Sequence, residues 1–132
     1  MKIQLVSVMV NDPIAAFKYY TETLGFVEKV FMPEMNLAVV ASPEDPDGTS
    51  LLLEPNDNPI AKPFQQGVYE QGMPIIVFGT DDIQRDYERL TSKGVVFRSE
   101  PKQQGPFISA NFEDTCGNLI QLTQMVTEPV NE

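Results

Sequence analysis

The stretch Val10–Phe26, VNDPIAAFKYYTETLGF, decides the reading of this chain, because Thr80–Val95, TDDIQRDYERLTSKGV, restates it. Asp12 aligns with Asp82, Phe17 with Tyr87 and Tyr20 with Leu90; Gly25-Phe26 aligns with Gly94-Val95 after one deletion. An apolar, strand-like run precedes each copy, Ile3–Val10 in the first and Pro74–Thr80 in the second. Self-similarity of this kind points to repeated architecture, and two copies are too few for a solenoid. The expectation is a duplicated supersecondary unit inside one small domain.

Each copy carries the punctuation of a helix. Asp12 and Asp82 are placed to accept hydrogen bonds from the free N–H groups of a first turn, and Pro13 suits the first helical position. Ile14, Phe17, Tyr20 and Leu24 form one apolar stripe; Ile83, Tyr87 and Leu90 form the other. Gly25 and Gly94 offer left-handed stops.

Working outward, Lys2–Val10 alternates as a strand, with Ile3, Leu5, Ser7 and Met9 on one face and Val6, Val8 and Val10 on the other. The valine face is expected to meet the helices. Phe26–Met32 and Asn36–Ser42 read as strands joined at Pro33-Glu34, Asp45-Pro46-Asp47-Gly48 as a turn, and Thr49–Glu54 as a fourth strand. The polar, proline-bearing segment 56–72 joins the halves, with a short helix from Pro63 to Tyr69 placing Phe64 and Val68 on one side. The second half repeats the order: strands at Pro74–Thr80, Val95–Arg98, Phe107–Phe112 and Leu119–Gln124, with a loop at Lys102–Pro106 and a turn at Asp114–Asn118. Val126–Glu132 is expected to fray. The chain thus reads as one domain, 1–132, with module one about 1–55, linker 56–72 and module two about 73–125.

The chain has 132 residues, 42% of them hydrophobic, enough for one domain with a real core. Nine basic against 19 acidic residues give a net charge of −10. That surface repels phosphates, so neither nucleic acid nor an anionic membrane is an expected partner. It suits a cationic small molecule, and equally it serves simple solubility. One cysteine excludes an internal disulfide. No secretory signal pattern and no run of bilayer length is present, so a cytoplasmic location is expected. There is no histidine.

A paired βαβββ chain of this kind, α+β in class, resembles the vicinal oxygen chelate superfamily, which includes glyoxalase I, the bleomycin-resistance proteins and the extradiol dioxygenases. The residues that carry the resemblance are Val10-Asn11-Asp12-Pro13, Phe17-Lys18-Tyr19-Tyr20 with Leu24-Gly25-Phe26, and Phe112-Glu113-Asp114 leading to Gly117-Asn118-Leu119-Ile120-Gln121. It implies curved mixed sheets around a ligand groove, helices outside, and a homodimer. In metal-using members the first and fourth strands of each half supply the ligands, which here implies Leu5, Glu54, Ile75 and Gln121. Strand alternation adds neighbours on the same faces: Ser7 beside Leu5, Leu52 beside Glu54, Val77 beside Ile75, and Leu119 beside Gln121.

Leu5 and Ile75 offer no lone pair and Gln121 only an amide oxygen, so neither a tetrahedral zinc site nor a two-histidine iron site can form. No metal and no cofactor is expected, and an enzyme of this kind is expected to be a glyoxalase-like lyase or isomerase rather than a dioxygenase. A glyoxalase reaction needs a Lewis acid for its enediolate, and Glu54 alone supplies only a base. Glu54, after Leu51-Leu52-Leu53, reads as a partly desolvated base or ligand anchor, and equally as a strand-end glutamate in water before Pro55. Cys116 has no base or basic neighbour in sequence and reads as an inert turn residue. Three functions stay open. The first is metal-free capture of a small molecule in the groove. The second is a lyase or isomerase acting on a small carbonyl or thiol adduct through Glu54. The third is a dimerising paralogue with no small-molecule role.

Overall fold

The computed structural model describes residues 1–126; of the tail expected to fray, all but Val126 lies outside them. The first half runs β1 (Leu5–Val10), α1 (Pro13–Lys18), β2 (Val27–Met32), β3 (Leu37–Ser42) and β4 (Asp45–Pro55). The joining segment contains α2 (Ala61–Glu70). The second half runs β5 (Ile76–Gly79), α3 (Ile83–Ser92), β6 (Lys102–Gln104), β7 (Phe107–Glu113) and β8 (Leu119–Met125). The sheet orders are β1-β4-β3-β2 and β5-β8-β7-β6. In each sheet the first strand pairs parallel with the last, and the other pairings are antiparallel. The repeat seen in the sequence is therefore a repeat of topology.

Alternation places the core. Val8 and Val10 of β1 bury with Val40, Leu51 and Leu53 against Ala16 and Tyr20. Val6 shares their face but sits at the open end of the strand and stays 40% exposed. In the second half Ile83 and Leu90 of α3 meet Ala110, Phe112, Ile120 and Leu122. Tyr19, Leu24, Ile75, Ile76 and Phe78 touch both clusters, so the cores merge where the halves meet.

The caps form as the sequence requires. Asp12 Oδ1 accepts from the N–H groups of Ile14 at 3.1 Å and Ala15 at 3.4 Å, and Asp82 Oδ1 from that of Arg85 at 3.0 Å. The residue that the first copy has in excess does not lengthen the α-helix. It is taken up in a π-helical turn, Tyr19–Thr23, in which Leu24 N donates to Tyr19 O at 3.1 Å. Such a turn widens the helix locally without ending it.

Two expected elements lie elsewhere. The chain reverses at Pro43-Glu44, before Asp45, because Ser42 already pairs with Asp45. Asp45-Pro46-Asp47-Gly48 belongs to β4, bent so that Gly48 lies against the Asp45 carboxylate. The second is Val95–Arg98, which makes one bridge, Phe97 to Phe112, rather than a strand. The strand at that edge is β6, within the expected loop. Pro101, which cannot donate to a ladder, separates the two pieces.

Candidate functional site

In each sheet the helix covers one face and leaves the other uncovered. On the first sheet the register sets Leu5 beside Ser50, Ser7 beside Leu52, and Met9 beside Glu54. These residues alternate with Val8, Val10, Leu51 and Leu53, so they lie opposite the core. Leu5 is 48% exposed and Ser7 is exposed, while Leu52 and Glu54 are half-buried. None of the five ion pairs among the described residues involves Glu54.

The second sheet carries a different chemistry on its corresponding face. Val77, 56% exposed, pairs with Gln121, which also pairs with Asn111. Thr123 Oγ1 donates to Gln121 Oε1 at 3.2 Å and lies 3.1 Å from Ser109 Oγ. The result is a row of amides and hydroxyls beside Val77. Leu119 is buried, and Ile75 is half-buried against both cores with its N–H donating to Leu119 O at 2.9 Å. Leu5, Ser7, Leu52 and Glu54 thus share one face, while Val77 and Gln121 share another. No strand pairing joins the two sets, since β1 and β5 are outer strands of separate sheets.

The donors at the four family positions do not fit a metal. Two are aliphatic, and the Gln121 oxygen already accepts from Thr123. Among the described residues no three His, Cys, Asp or Glu side chains come together. No helix among them is long and apolar enough to cross a membrane.

The joint between the halves is a buried polar network that the sequence did not announce. Tyr20 Oη donates to Asp114 Oδ2 at 2.7 Å, and Tyr19 Oη to the Glu113 carbonyl at 3.2 Å. Asp114 also accepts from Cys116 N, Asn118 N and Asn118 Nδ2. Burial pushes the Asp114 carboxyl above its ordinary range, and these hydrogen bonds offset part of that. Gln65 of α2 closes the network. Its Nε2 lies within 3.0 to 3.1 Å of Met9 O, Cys116 O and Asn118 Oδ1, and its Oε1 accepts from Asn56 Nδ2 at 2.6 Å. Cys116 is buried here, and desolvation with the Asp114 charge pushes its thiol up to about 12, which fits the inert reading.

A cleft of about 880 Å³ opens between the modules on the helix-bearing side. Module one contributes Leu24, Gly25, Phe26 and the β3–β4 turn; module two contributes Phe78, Thr80 and one face of α3. Of the eight residues expected from sequence, only Val77 borders it. A smaller cavity of about 200 Å³ adjoins it and shares Phe26, Ser42, Val77 and Phe78. One sequence signal could have pointed here: Arg85 and Arg89, spaced to fall on one side of a helix.

The family model described as Glyoxalase/Bleomycin resistance protein/Dioxygenase superfamily matches residues 2–122. The protein YurT of Bacillus subtilis (strain 168) is 47% identical over 126 residues, covering 94% of this chain and 99% of that protein. A protein of Shewanella frigidimarina (strain NCIMB 400) is 34% identical over 123 residues, covering 91% of this chain and 90% of its own length. Among solved structures, UcmS2 superposes with a TM-score of 0.78 at 25% identity, covering 93% of this chain and 97% of that one. TnmS3, described as an antibiotic binding protein from Streptomyces sp. CB03234, gives 0.71 at 28% identity, covering 95% and 96%. On its motifs, its duplicated topology and these matches, the chain belongs to the glyoxalase/bleomycin resistance protein/dioxygenase superfamily.

Proposed function

We propose that this protein captures a small organic molecule, without a bound metal, in a groove between the uncovered sheet faces of a cytoplasmic homodimer. The observation that carries the reading is the open apolar surface at Leu5 and Val77, which no helix among the described residues covers. Leu5, Ser7, Leu52 and Glu54 would form one wall. Val77 and Gln121 would form the other, backed by Ile75 and Leu119. A second copy would bring the walls together and remove the exposed edges. The description of TnmS3 as an antibiotic binding protein supports small-molecule capture in this fold. The net charge of −10 and the Glu54 carboxylate favour a cationic aromatic ligand.

The test is a thermal-shift screen of cationic aromatic compounds, since a ligand that binds only the folded protein raises its melting temperature. Glu54→Gln keeps shape and removes charge. It should abolish binding of the first compound that shifts the wild type, with stability unchanged or slightly higher. Equal binding by the variant removes Glu54 from the site. The half-burial of Glu54 beside Met9 also favours a second reading, a lyase or isomerase with Glu54 as base. Turnover of a carbonyl or thiol-adduct substrate, lost in Glu54→Gln, would establish it. About one zinc, nickel or iron per chain on elemental analysis would overturn the metal-free reading.

A further inference from the structure

We propose a second small-molecule site: the cleft between the modules takes a flat apolar carboxylate, its ring against Phe26 and Phe78 and its acid group on Arg89. This site is separate from the sheet-face groove and shares only Val77 with it.

The cleft is built as an apolar floor with a charged rim. Phe26 and Phe78 meet edge to face, with centroids 4.9 Å apart. Leu90, Phe112 and Leu122 extend that floor beneath α3. A planar ring laid there covers aromatic faces that each module leaves partly open. A cleft of about 880 Å³ falls in the range of ligand pockets, roughly 300–1,000 Å³.

The rim selects the charge. Arg85 and Arg89 of α3 and Lys93 at its C-terminal cap stand four residues apart, and they are three of only nine Lys and Arg residues in the chain. Lys93 Nζ donates to Glu22 O at 3.0 Å, so this stripe faces module one. The acids on α3's side of the rim are already engaged. Asp81 accepts from Arg85 Nη2 at 3.0 Å, and Asp86 accepts from the Thr80 hydroxyl at 2.5 Å. Glu44 lies across the opening, on the β3–β4 turn.

Arg89 is different. Its Nε forms an ion pair with Asp86 Oδ1 at 3.6 Å, too long for a hydrogen bond, and its guanidinium makes no hydrogen bond among the described residues. Its outer edge points toward Gly25, where the place of a missing Cβ has Arg89 Nη1 as its nearest neighbour at 4.0 Å. Gly25 has φ +96°, so a side chain is disfavoured there and the space stays open. An oriented guanidinium with a free edge over an aromatic floor matches a carboxylate that accepts two parallel N–H bonds.

The experiment titrates isotope-labelled protein with 2-naphthoate and, separately, with 2-naphthamide, which keeps the ring and removes the charge. Amide shifts should appear at Gly25, Phe26, Ser42, Thr80 and Arg89, with the acid binding more tightly than the amide. Arg89→Gln should weaken naphthoate at least about tenfold and leave naphthamide unchanged, as expected for loss of a charge-assisted pair. Arg85→Gln, whose fork is held by Asp81, should change naphthoate affinity by less than about threefold. Thermal melts of both variants confirm that they fold. Shifts confined to Leu5, Ser7 and Gln121, no shifts at all, equal binding of acid and amide, or an unchanged Arg89→Gln would each overturn the site.

Discussion

Tyr20 and Asp114 are both fully buried, one in the first helix and one in the β7–β8 turn, and the phenol donates to the carboxylate at 2.7 Å. The contact spans 94 positions of sequence and ties module one to module two. Tyr20→Phe removes the donor and leaves a buried carboxylate with one partner fewer. The loss should be about 1–3 kcal/mol, read as a lower urea midpoint with an unchanged slope. An unaffected midpoint would show that this hydrogen bond contributes nothing to holding the modules together.

Gln65 serves four buried partners from one amide, so its removal should cost more than that of a surface residue. Gln65→Ala leaves Asn56 Nδ2 and Asn118 Oδ1 without their partner and takes one donor each from the Met9 and Cys116 carbonyls, which keep Asn118 Nδ2 and Asn11 N. A loss of roughly 3 kcal/mol or more is expected. Gln65→Glu should be worse, because it aims a carboxylate oxygen at three acceptors. A chemical melt of each variant gives the ranking.

Stability should decline in alkali. Cys116 is raised from 9.0 to about 12 and Tyr19 from 10.0 to about 12, chiefly by burial. Because the folded values lie above the unfolded ones, the unfolded chain sheds these protons first. The contribution is fully present below about pH 9 and is lost as pH rises toward about 12. Urea melts at about pH 8 and about pH 10.5 should show the fall, and Cys116→Ala should make it shallower. In the folded protein at about pH 8 a thiol reagent should react with Cys116 only as fast as the chain opens.

Leu5→Lys tests the proposed pairing of sheet faces. A charge in the centre of an apolar interface should weaken association at least about tenfold. Light scattering should find the wild type at dimer mass across micromolar concentrations and the variant at monomer mass. A wild-type monomer would remove the groove wall supplied by a second copy.

The architecture was legible because its signals are local and periodic. The Asp12 and Asp82 caps, the alternation from Val6 to Val10 and the order of elements each follow from neighbours in sequence. The reversal was misplaced because Asp45-Pro46-Asp47-Gly48 carries stronger turn chemistry than Pro43-Glu44, yet strand pairing at Ser42 and Asp45 takes precedence. The edge strand was misplaced for a related reason, since β7 offers partners on both sides of Pro101. The face bearing Leu5, Ser7, Leu52 and Glu54 followed from alternation, whereas the pairing of Val77 with Gln121 came only with the structure, and Leu119, expected on the face of Gln121, is buried. Gln65, Asn56 and Asp114 were not legible, because their partners lie on other elements and no spacing rule links them. The same holds for Tyr69 of α2, whose hydroxyl meets Glu113 at 2.8 Å beside Arg98. The cleft was not legible because half its wall comes from each module.

The π turn of Tyr19–Thr23 bears on how the two halves recognise one another. It exists in one copy only, and it carries the two phenols that reach the β7–β8 turn. The surface it meets has no twin in module one, where the corresponding reversal is the tight Pro43-Glu44 and holds no buried carboxylate. The joint is therefore heterologous, key on one half and lock on the other. Two first modules could not reproduce it by facing each other, and neither could two second modules. The phenols of one copy and the Asp114 carboxylate beside the other give a duplicated chain a polarity, and that polarity decides which half pairs with which.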